Sequence, residues 1–533
     1  MFKKLYNLYI NNYHFLYVVF LSIFVVSMPH SRGLLSSSQI ALAAFWLLDV
    51  NFISKFKKVI KNKALLILLS IFFLHILGFF YTNNFSYALK DLRVKLPLLL
   101  FPLVIASSSK LSIKEIKIII TIFSISVFFK TLYGLALITG ITGKEVSDFQ
   151  EISGKMSHIR YSLLLNIIIF SNVYYLLISK STAEKKTYKL LRWLLAIWLT
   201  TFLFILHSVT GWIVFFILII FTCFYLSLKP NIKYRKLGVI FSLIISISII
   251  LYLTFSIKRY YRTDIVDKDN IIMKTKSGNK YSHNFKSNQR ENGHFVNLYI
   301  CHKELSKTWN IVSKIKYNKK DKKNQNIKYT LIRYLSSKNL KKDKEGVLQL
   351  SKKDISNIEN GLTNYIFENK FAIYPKIYEV LWQIDSYLDG GNPQNHSVTQ
   401  RFEFLKIAKK IVKENFWFGV GTGDVGDVFT EEYKKVNSKL QTPYRLRAHN
   451  QYVTFFITFG LIGFLWFLFA YIYPAIIERK FSDYLFIITF ITLSLSMLNE
   501  DTTETQMGAT IFAFFLSFFL FSNSENKKKA TKN

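Results

Sequence analysis

Apolar residues run through this chain in blocks of about 20, the length a helix rising 1.5 Å per residue needs to cross a ~30 Å hydrocarbon core. Twelve such stretches are legible, at 13–29, 34–52, 64–82, 94–108, 116–139, 160–179, 190–209, 211–228, 237–257, 449–472, 481–498 and 506–522. The fourth is short and carries Pro97 and Pro102. Several are apolar on every side, which suits a lipid-immersed helix better than a half-buried soluble one. Between the ninth and tenth the pattern changes. From Lys258 to Arg447 polar residues dominate, and helical amphipathic spacing appears only locally, at 302–317, 351–367 and 397–415. Residues 262–299 mix short apolar runs with Gly and Asn and predict two or three short strands, while 318–326 hold only Lys, Asn, Asp and Gln and predict an exposed tip. The expectation is an all-α integral membrane protein of about twelve transmembrane helices. Helices one to nine fill 1–257, a large mixed but mainly helical loop domain fills 258–447, the last three helices fill 448–522, and a basic cytoplasmic tail fills 523–533.

Composition agrees, at 51% hydrophobic and 17% aromatic residues, but the net charge of +37 raises the question of a nucleic-acid partner. Placement answers it. Lys55, Lys57, Lys58, Lys61 and Lys63 follow the second stretch; Lys110 and Lys114 precede the fifth and Lys117 stands at its start. Lys180, Lys185, Lys186 and Lys189 lie between the sixth and seventh, and Lys229, Lys233, Arg235 and Lys236 between the eighth and ninth. Arg479 and Lys480 follow the tenth, and Lys527, Lys528 and Lys529 end the chain. All fall on one side if Lys3 and Lys4 are cytoplasmic, which is the positive-inside pattern and not a nucleic-acid footprint. Both termini are then cytoplasmic and the large loop is outside. The remaining excess of Lys, Asn, Ile, Phe and Tyr reads as AT-rich coding. No small-residue cleavage pattern stands near Met28-Pro29-His30, so the first stretch reads as a retained span. Cys223 lies in a span and Cys301 in the loop, a placement that builds no disulfide and no cysteine metal site.

Candidate chemistry gathers where the loop returns to the membrane. His449 opens the tenth stretch, just after Arg445 and Arg447, with Arg401 and the turn Gly419-Val420-Gly421-Thr422-Gly423 upstream. An imidazole exchanges protons near neutral pH and a guanidinium forks onto phosphate oxygens, so this grouping fits chemistry on a lipid-linked anion. Arg160 opens an earlier stretch, and Arg93 and Lys95 stand at the mouth of the fourth. Plain readings stand beside these. His449 reads also as an interface or capping residue, Arg160 as snorkelling to headgroups, Arg401 as a salt-bridge partner of Glu403 or Glu414, and the glycines as a tight turn instead of a phosphate nest. Lys130, inside the fifth stretch, reads as functional or as packed against a polar neighbour. Glu500, Asp501 and Glu504 crowd the last outer turn, either to organise the arginines or as a solvated turn.

From Arg401-Phe402-Glu403-Phe404-Leu405, through Asn415-Phe416-Trp417-Phe418-Gly419-Val420-Gly421-Thr422-Gly423, to His449-Asn450-Gln451-Tyr452, the chain resembles the O-antigen ligase and polymerase superfamily. His158-Ile159-Arg160-Tyr161-Ser162 is similar to the arginine motif of an earlier span in that family, though an aromatic-Gly-Asn-Pro signature near Arg160 is missing. The resemblance implies an inner-membrane enzyme moving a glycan from an undecaprenyl-pyrophosphate-linked donor to an acceptor hydroxyl, as on lipid A-core, at the periplasmic face. It implies His449 as general base, with Arg160, Arg401, Arg445 and Arg447 holding the pyrophosphate. Arg93, Lys95, Gly421, Gly423 and Glu504 are secondary candidates. Arginines in the place of a divalent cation imply a metal-independent reaction without cofactors, and direct displacement implies inversion. A polysaccharide polymerase and a protein O-oligosaccharyltransferase are rivals in the same superfamily. A lipid-linked-sugar transporter is the rival outside it, and would want internal repeats and more intramembrane charge than Lys130.

Overall fold

The computed structural model describes residues 2–49, 52–143, 149–154, 156–179, 185–228, 235–267, 269–369 and 372–522. The expected tail at 523–533, and Lys180, Lys229 and Lys233 of the basic loops, lie outside the described residues. Chain contacts divide the protein into two compact units, Met1–Leu243 with Asn392–Asn533, and Ile244–Gly391. The expected loop domain at 258–447 is thereby divided, its last part grouping with the first unit.

The first unit is helical throughout. Its helices before the loop are α1 (Phe2–Ser27), α2 (Arg32–Leu47), α3 (Phe52–Lys61), α4 (Lys63–Phe79), α5 (Phe85–Lys95), α6 (Pro97–Ser107), α7 (Ile113–Ile138), α8 (His158–Val173, prolonged by a π turn Tyr174–Ile178), α9 (Lys186–Ile205) and α10 (Val209–Ser227). A further helix, α11 (Arg235–Tyr261), runs on from it. Of the described helices, six are long and apolar enough to cross a membrane by length and composition, namely α7, α8 with its π turn, α9, α10, α11 and one beyond the loop. The bent pair α2–α3 makes up to seven, and part of α1, α4 and two late helices are shorter apolar helices. Each of the twelve apolar stretches lies on one or two of these helices. The stretch expected at 94–108 is two helices meeting at Leu96, because Pro97 lacks the amide hydrogen a continuing helix needs and is suited to start one.

The second unit holds α12 (His302–Val312), α13 (Ile327–Ser337), α14 (Lys344–Leu348) and α15 (Lys352–Glu359) around a core that includes Trp309, Leu331, Tyr334 and Leu335, and α16 (Tyr374–Leu388), whose Tyr374 and Tyr378 form a second small core with Ile366. The amphipathic segments read at 302–317 and 351–367 shorten to α12 and α15. The strands expected in 262–299 reduce to a hairpin of β1 (Arg290–Glu291) with β2 (His294–Phe295), plus isolated bridges such as Lys274 with Lys280. The tip at 318–326 is exposed but anchored. Asp321 is buried within it and accepts the amides of Lys323 and Gln325 and the Thr330 hydroxyl.

The chain returns to the first unit with α17 (Ser397–Glu414), α18 (Val425–Lys435), α19 (Gln451–Ile477), α20 (Tyr484–Asn499) and α21 (Gln506–Phe521). Its sixteen residues make α21 apolar on all sides, and it is buried along nearly its whole length, with α6 and α20 among the helices packed against it. By contrast α11, also apolar all round, is almost wholly exposed, as a lipid-facing helix would be.

Candidate active site

Local sequence aims His449 into the first unit. Asn450 caps α19, its side chain accepting the Val453 amide at 3.1 Å and donating to the Leu498 carbonyl at 3.0 Å. Immediately before it, His449 adopts a left-handed backbone (φ 48°), an uncommon conformation for a side chain of this size. The ring lies 5.6 Å from that of Phe404 on α17, and its Nδ1 is buried without a hydrogen-bond partner.

Around the turn between α20 and α21 the charged residues sort into two groups. In the first, the Arg160 guanidinium approaches Glu500 at 3.6 Å, and Arg401 donates loosely to the Asn499 carbonyl at 3.4 Å and to the Ser397 carbonyl at 3.3 Å. Both leave Nε buried and unpartnered, as His449 leaves Nδ1. Burial lowers the Arg401 pKa, and Glu500 and Asp501 only partly offset it. Burial, then Glu504, raise the Asp501 carboxyl, against the Thr454 hydroxyl and the nearby His449 and Arg447. Arg32, at the start of α2, adds a further positive charge acting on Arg160.

In the second group every charge has a close partner. Arg447 donates to Glu504 at 2.8 Å and to the Tyr87 hydroxyl. Lys95 lies 2.6 Å from Asp91 and 3.1 Å from Glu504, and Gln451 donates to the other Glu504 oxygen at 3.2 Å. Burial pushes the Glu504 carboxyl up, but Lys95 and Arg447 together hold it well below the usual carboxylate range. Burial wins at Asp91, whose carboxyl is pushed up to about 6 despite Lys95.

The remaining predicted residues have plainer places. Arg445 donates to the Leu440 carbonyl at 2.8 Å and sits 5.9 Å from the Tyr433 ring, so it braces the loop that leads to α19. Arg93 is exposed. Lys130 is buried, 5.0 Å over the Tyr133 ring. The glycine turn is not a phosphate nest, because its amides are already engaged. Val420 and Gly421 donate to the Ile457 and Thr458 carbonyls, Thr422 to the Gly78 carbonyl and Gly423 to the Thr82 hydroxyl. The Ile457 and Thr458 carbonyls are freed by a break in α19 at Gly460 (φ 63°, ψ −168°), across which Leu461 donates to the Phe416 carbonyl at 2.7 Å, while Gly78 comes from the end of α4 and Thr82 from just after it. A Cβ on Gly460 would lie 2.3 Å from the Trp417 carbonyl, and one on Gly423 would lie 2.3 Å from the Asn84 carbonyl. Close backbone approach, not anion binding, explains these glycines. Asp424 completes the clasp by accepting the Asn83 and Asn84 amides.

Residues 353–468 match the family model described as O-antigen ligase. The chain carries an O-antigen ligase superfamily domain. The matched segment takes in Arg401, the glycine clasp, Arg445, Arg447 and His449, and leaves out Arg160 and Glu504. An uncharacterized protein of Haemophilus influenzae is 32% identical over 184 residues, which is 32% of this chain and 41% of that protein. The match therefore spans less than half of the relative's length.

Three residues of these groups, Arg32, Asp91 and Tyr87, were not among the candidates read from sequence. Asp91 carried a signal, since it stands four residues before Lys95 on α5, the spacing at which opposite charges meet on a helix. The expectation of metal independence also rests on the absence of an Asp-x-Asp pair in the outer loop, and Asp267 with Asp269 is such a pair, which removes that ground. Both are exposed, and Asp267 accepts the Asp269 amide at 3.0 Å and the Asn270 side chain at 2.8 Å.

Proposed function

We propose that this protein is an O-antigen ligase-type glycosyltransferase, moving a glycan from undecaprenyl pyrophosphate to a hydroxyl of lipid A-core at the periplasmic face of the inner membrane. The observation that carries this reading is the meeting of Arg160, Arg401 and His449 at one turn, each with a buried nitrogen left without a partner. A buried donor without an acceptor costs about 1–3 kcal/mol, more when charged, so the two arginines are best understood as awaiting an anion and the unpartnered imidazole beside them as awaiting a hydroxyl. In the reaction the acceptor hydroxyl gives its proton to His449 as its oxygen bonds to the anomeric carbon. The bond from that carbon to the pyrophosphate oxygen breaks, and its electron pair leaves with the pyrophosphate. Arg160 and Arg401 stabilise the charge that develops there. Displacement in one step inverts the anomeric centre.

Arg447 drops from the pyrophosphate set in this reading, because Glu504 and Tyr87 already occupy it; it positions the chain leading to His449. Arg445 drops because its Nε is spent on the Leu440 carbonyl and its guanidinium lies beside the Tyr433 ring. The deciding experiment is the lipopolysaccharide profile of a strain lacking the gene. Lipid-linked polymer accumulating beside unsubstituted lipid A-core is the expected result. Core capped with a single repeat would instead mean a polymerase, and an unchanged profile with an unglycosylated protein would mean a protein glycosyltransferase.

A further inference from the structure

The second unit contains a cavity of about 670 Å³ that none of the chemistry above uses. One wall is a single face of α16: Tyr378, Trp382 and Asp385 recur at four and three residues, so their side chains stack along one side of the helix. Tyr260 and Tyr261 at the end of α11 form a second wall, and the segment entering β1, with Gln289 and Arg290, a third.

The pocket is built, not left over. Behind it the fully buried Glu291 takes Arg333 at 2.6 Å, Asn364 at 2.7 Å and the Tyr378 hydroxyl at 3.0 Å. That network fixes Tyr378, whose ring stands edge-on to Tyr260 at 5.0 Å. Arg333 also stacks on the Trp382 ring at 4.8 Å, locking its plane. Asp385 accepts the Tyr261 hydroxyl at 2.9 Å, which orients its carboxylate, and Arg290 keeps a buried Nε with no hydrogen-bond partner.

We propose that this cavity is a saccharide-recognition site, taking a neutral or amino-sugar unit of a glycan. A sugar ring offers an apolar face of C–H groups and an edge of hydroxyls. The first is matched by a rigid aromatic ring, the second by planar side chains that reach adjacent hydroxyls together, as a carboxylate, an amide and a guanidinium do. Carboxylate and guanidinium both line the cavity, so no net charge selects a strongly acidic or basic ligand. The volume falls in the range of small-ligand pockets and suits one or a few sugar units. The inference stands without the transferase reading, since a site that recognises glycan serves a transferase, a polymerase or a transporter alike.

The test uses the full-length protein in detergent on an array of bacterial surface oligosaccharides that includes neutral hexoses, N-acetylhexosamines and uronic acids, followed by titration of the best binder. Binding to neutral or N-acetylated sugars is expected, persisting at about 0.5 M salt, where exposed ion pairs are largely screened. Asp385→Asn, which keeps the side chain's shape, should weaken it about tenfold, a loss of roughly 1.4 kcal/mol, and Trp382→Ala should weaken it further. Because Trp382→Ala also removes packing, the deciding variants are Asp385→Asn and Gln289→Ala, each with an unchanged thermal midpoint. No sugar-dependent signal, binding that Asp385→Asn leaves intact, or binding confined to uronic acids or acidic peptides and abolished by salt would each overturn the proposal.

Discussion

The open group around His449 and the closed network around Glu504 share one turn and are built from the same residue types, yet they end in opposite electrostatic states. In the network, two cations and two carboxylates meet at 2.6–3.1 Å, and Tyr87 and Gln451 take up remaining hydrogen-bonding capacity. In the open group, among the described residues, Arg160 stands 3.6 Å from the Glu500 carboxylate and Arg401 donates to the Ser397 and Asn499 carbonyls. A buried ion pair that is fully satisfied holds elements together; a buried cation that is not is held ready at some cost in stability. On the proposed reading, position near the site does not make an arginine a ligand; unspent hydrogen bonds do.

The largest effect should fall on the open group. His449→Ala removes one positioned proton acceptor and is expected to slow transfer by about 10²–10⁴-fold while leaving donor affinity near normal. Turnover close to that of the parent protein would make His449 a structural residue and dissolve the distinction between the two groups.

Glu504→Gln probes the closed network and should act on stability instead of chemistry. It leaves Lys95 and Arg447 buried with too little negative charge, at a cost of roughly 3–5 kcal/mol, read as a lower thermal midpoint in detergent. Its pH counterpart has a definite sign. The Glu504 carboxyl is held below its ordinary range in the folded protein, so its contribution is complete above that range. It is lost only as pH falls through the depressed folded value. The variant should therefore flatten the acid limb of the stability curve. A Glu504→Gln protein of normal stability but no activity would move Glu504 into the reacting site.

Arg401→Lys keeps the charge but loses the fork, and should weaken donor binding about tenfold at unchanged stability. The matching Arg445→Lys change, at a residue that braces Leu440, should leave donor affinity alone. Equal loss in both would mean that nearness and not free valence decides.

Fold and site differ in how far the amino-acid sequence foretells them. Helix-length apolar blocks placed the helices because lipid allows only a backbone that satisfies itself. What the blocks could not reveal was where a helix breaks. Gly460 interrupts α19 because an incoming segment, Phe416–Gly421, supplies the missing hydrogen bonds, a contact written in two distant stretches at once. For the same reason the glycine turn resembled an anion nest: glycine spacing records close approach without saying what approaches. Residue type and position brought out Arg160, Arg401 and His449. Which arginines remain open depended on partners such as Tyr87 and Asp91, which lie more than 300 positions from Arg447 and carry no motif.

The smallest expected effect is none at all, and it tests the open group most directly as a substitute for a divalent ion. In many transferases a metal neutralises the departing pyrophosphate by binding its oxygens. In the proposed reaction two guanidiniums with unspent donors supply the same neutralisation through charge-assisted hydrogen bonds, and they need no carboxylates to hold a cation in place. Excess chelator should therefore leave the transfer rate of the purified protein unchanged. Activity lost to chelator and restored by magnesium or manganese would reverse the assignment, and would direct attention to the exposed pair Asp267 and Asp269. If the arginines do carry the charge, Arg160→Ala should instead slow transfer in a way that no added divalent ion repairs.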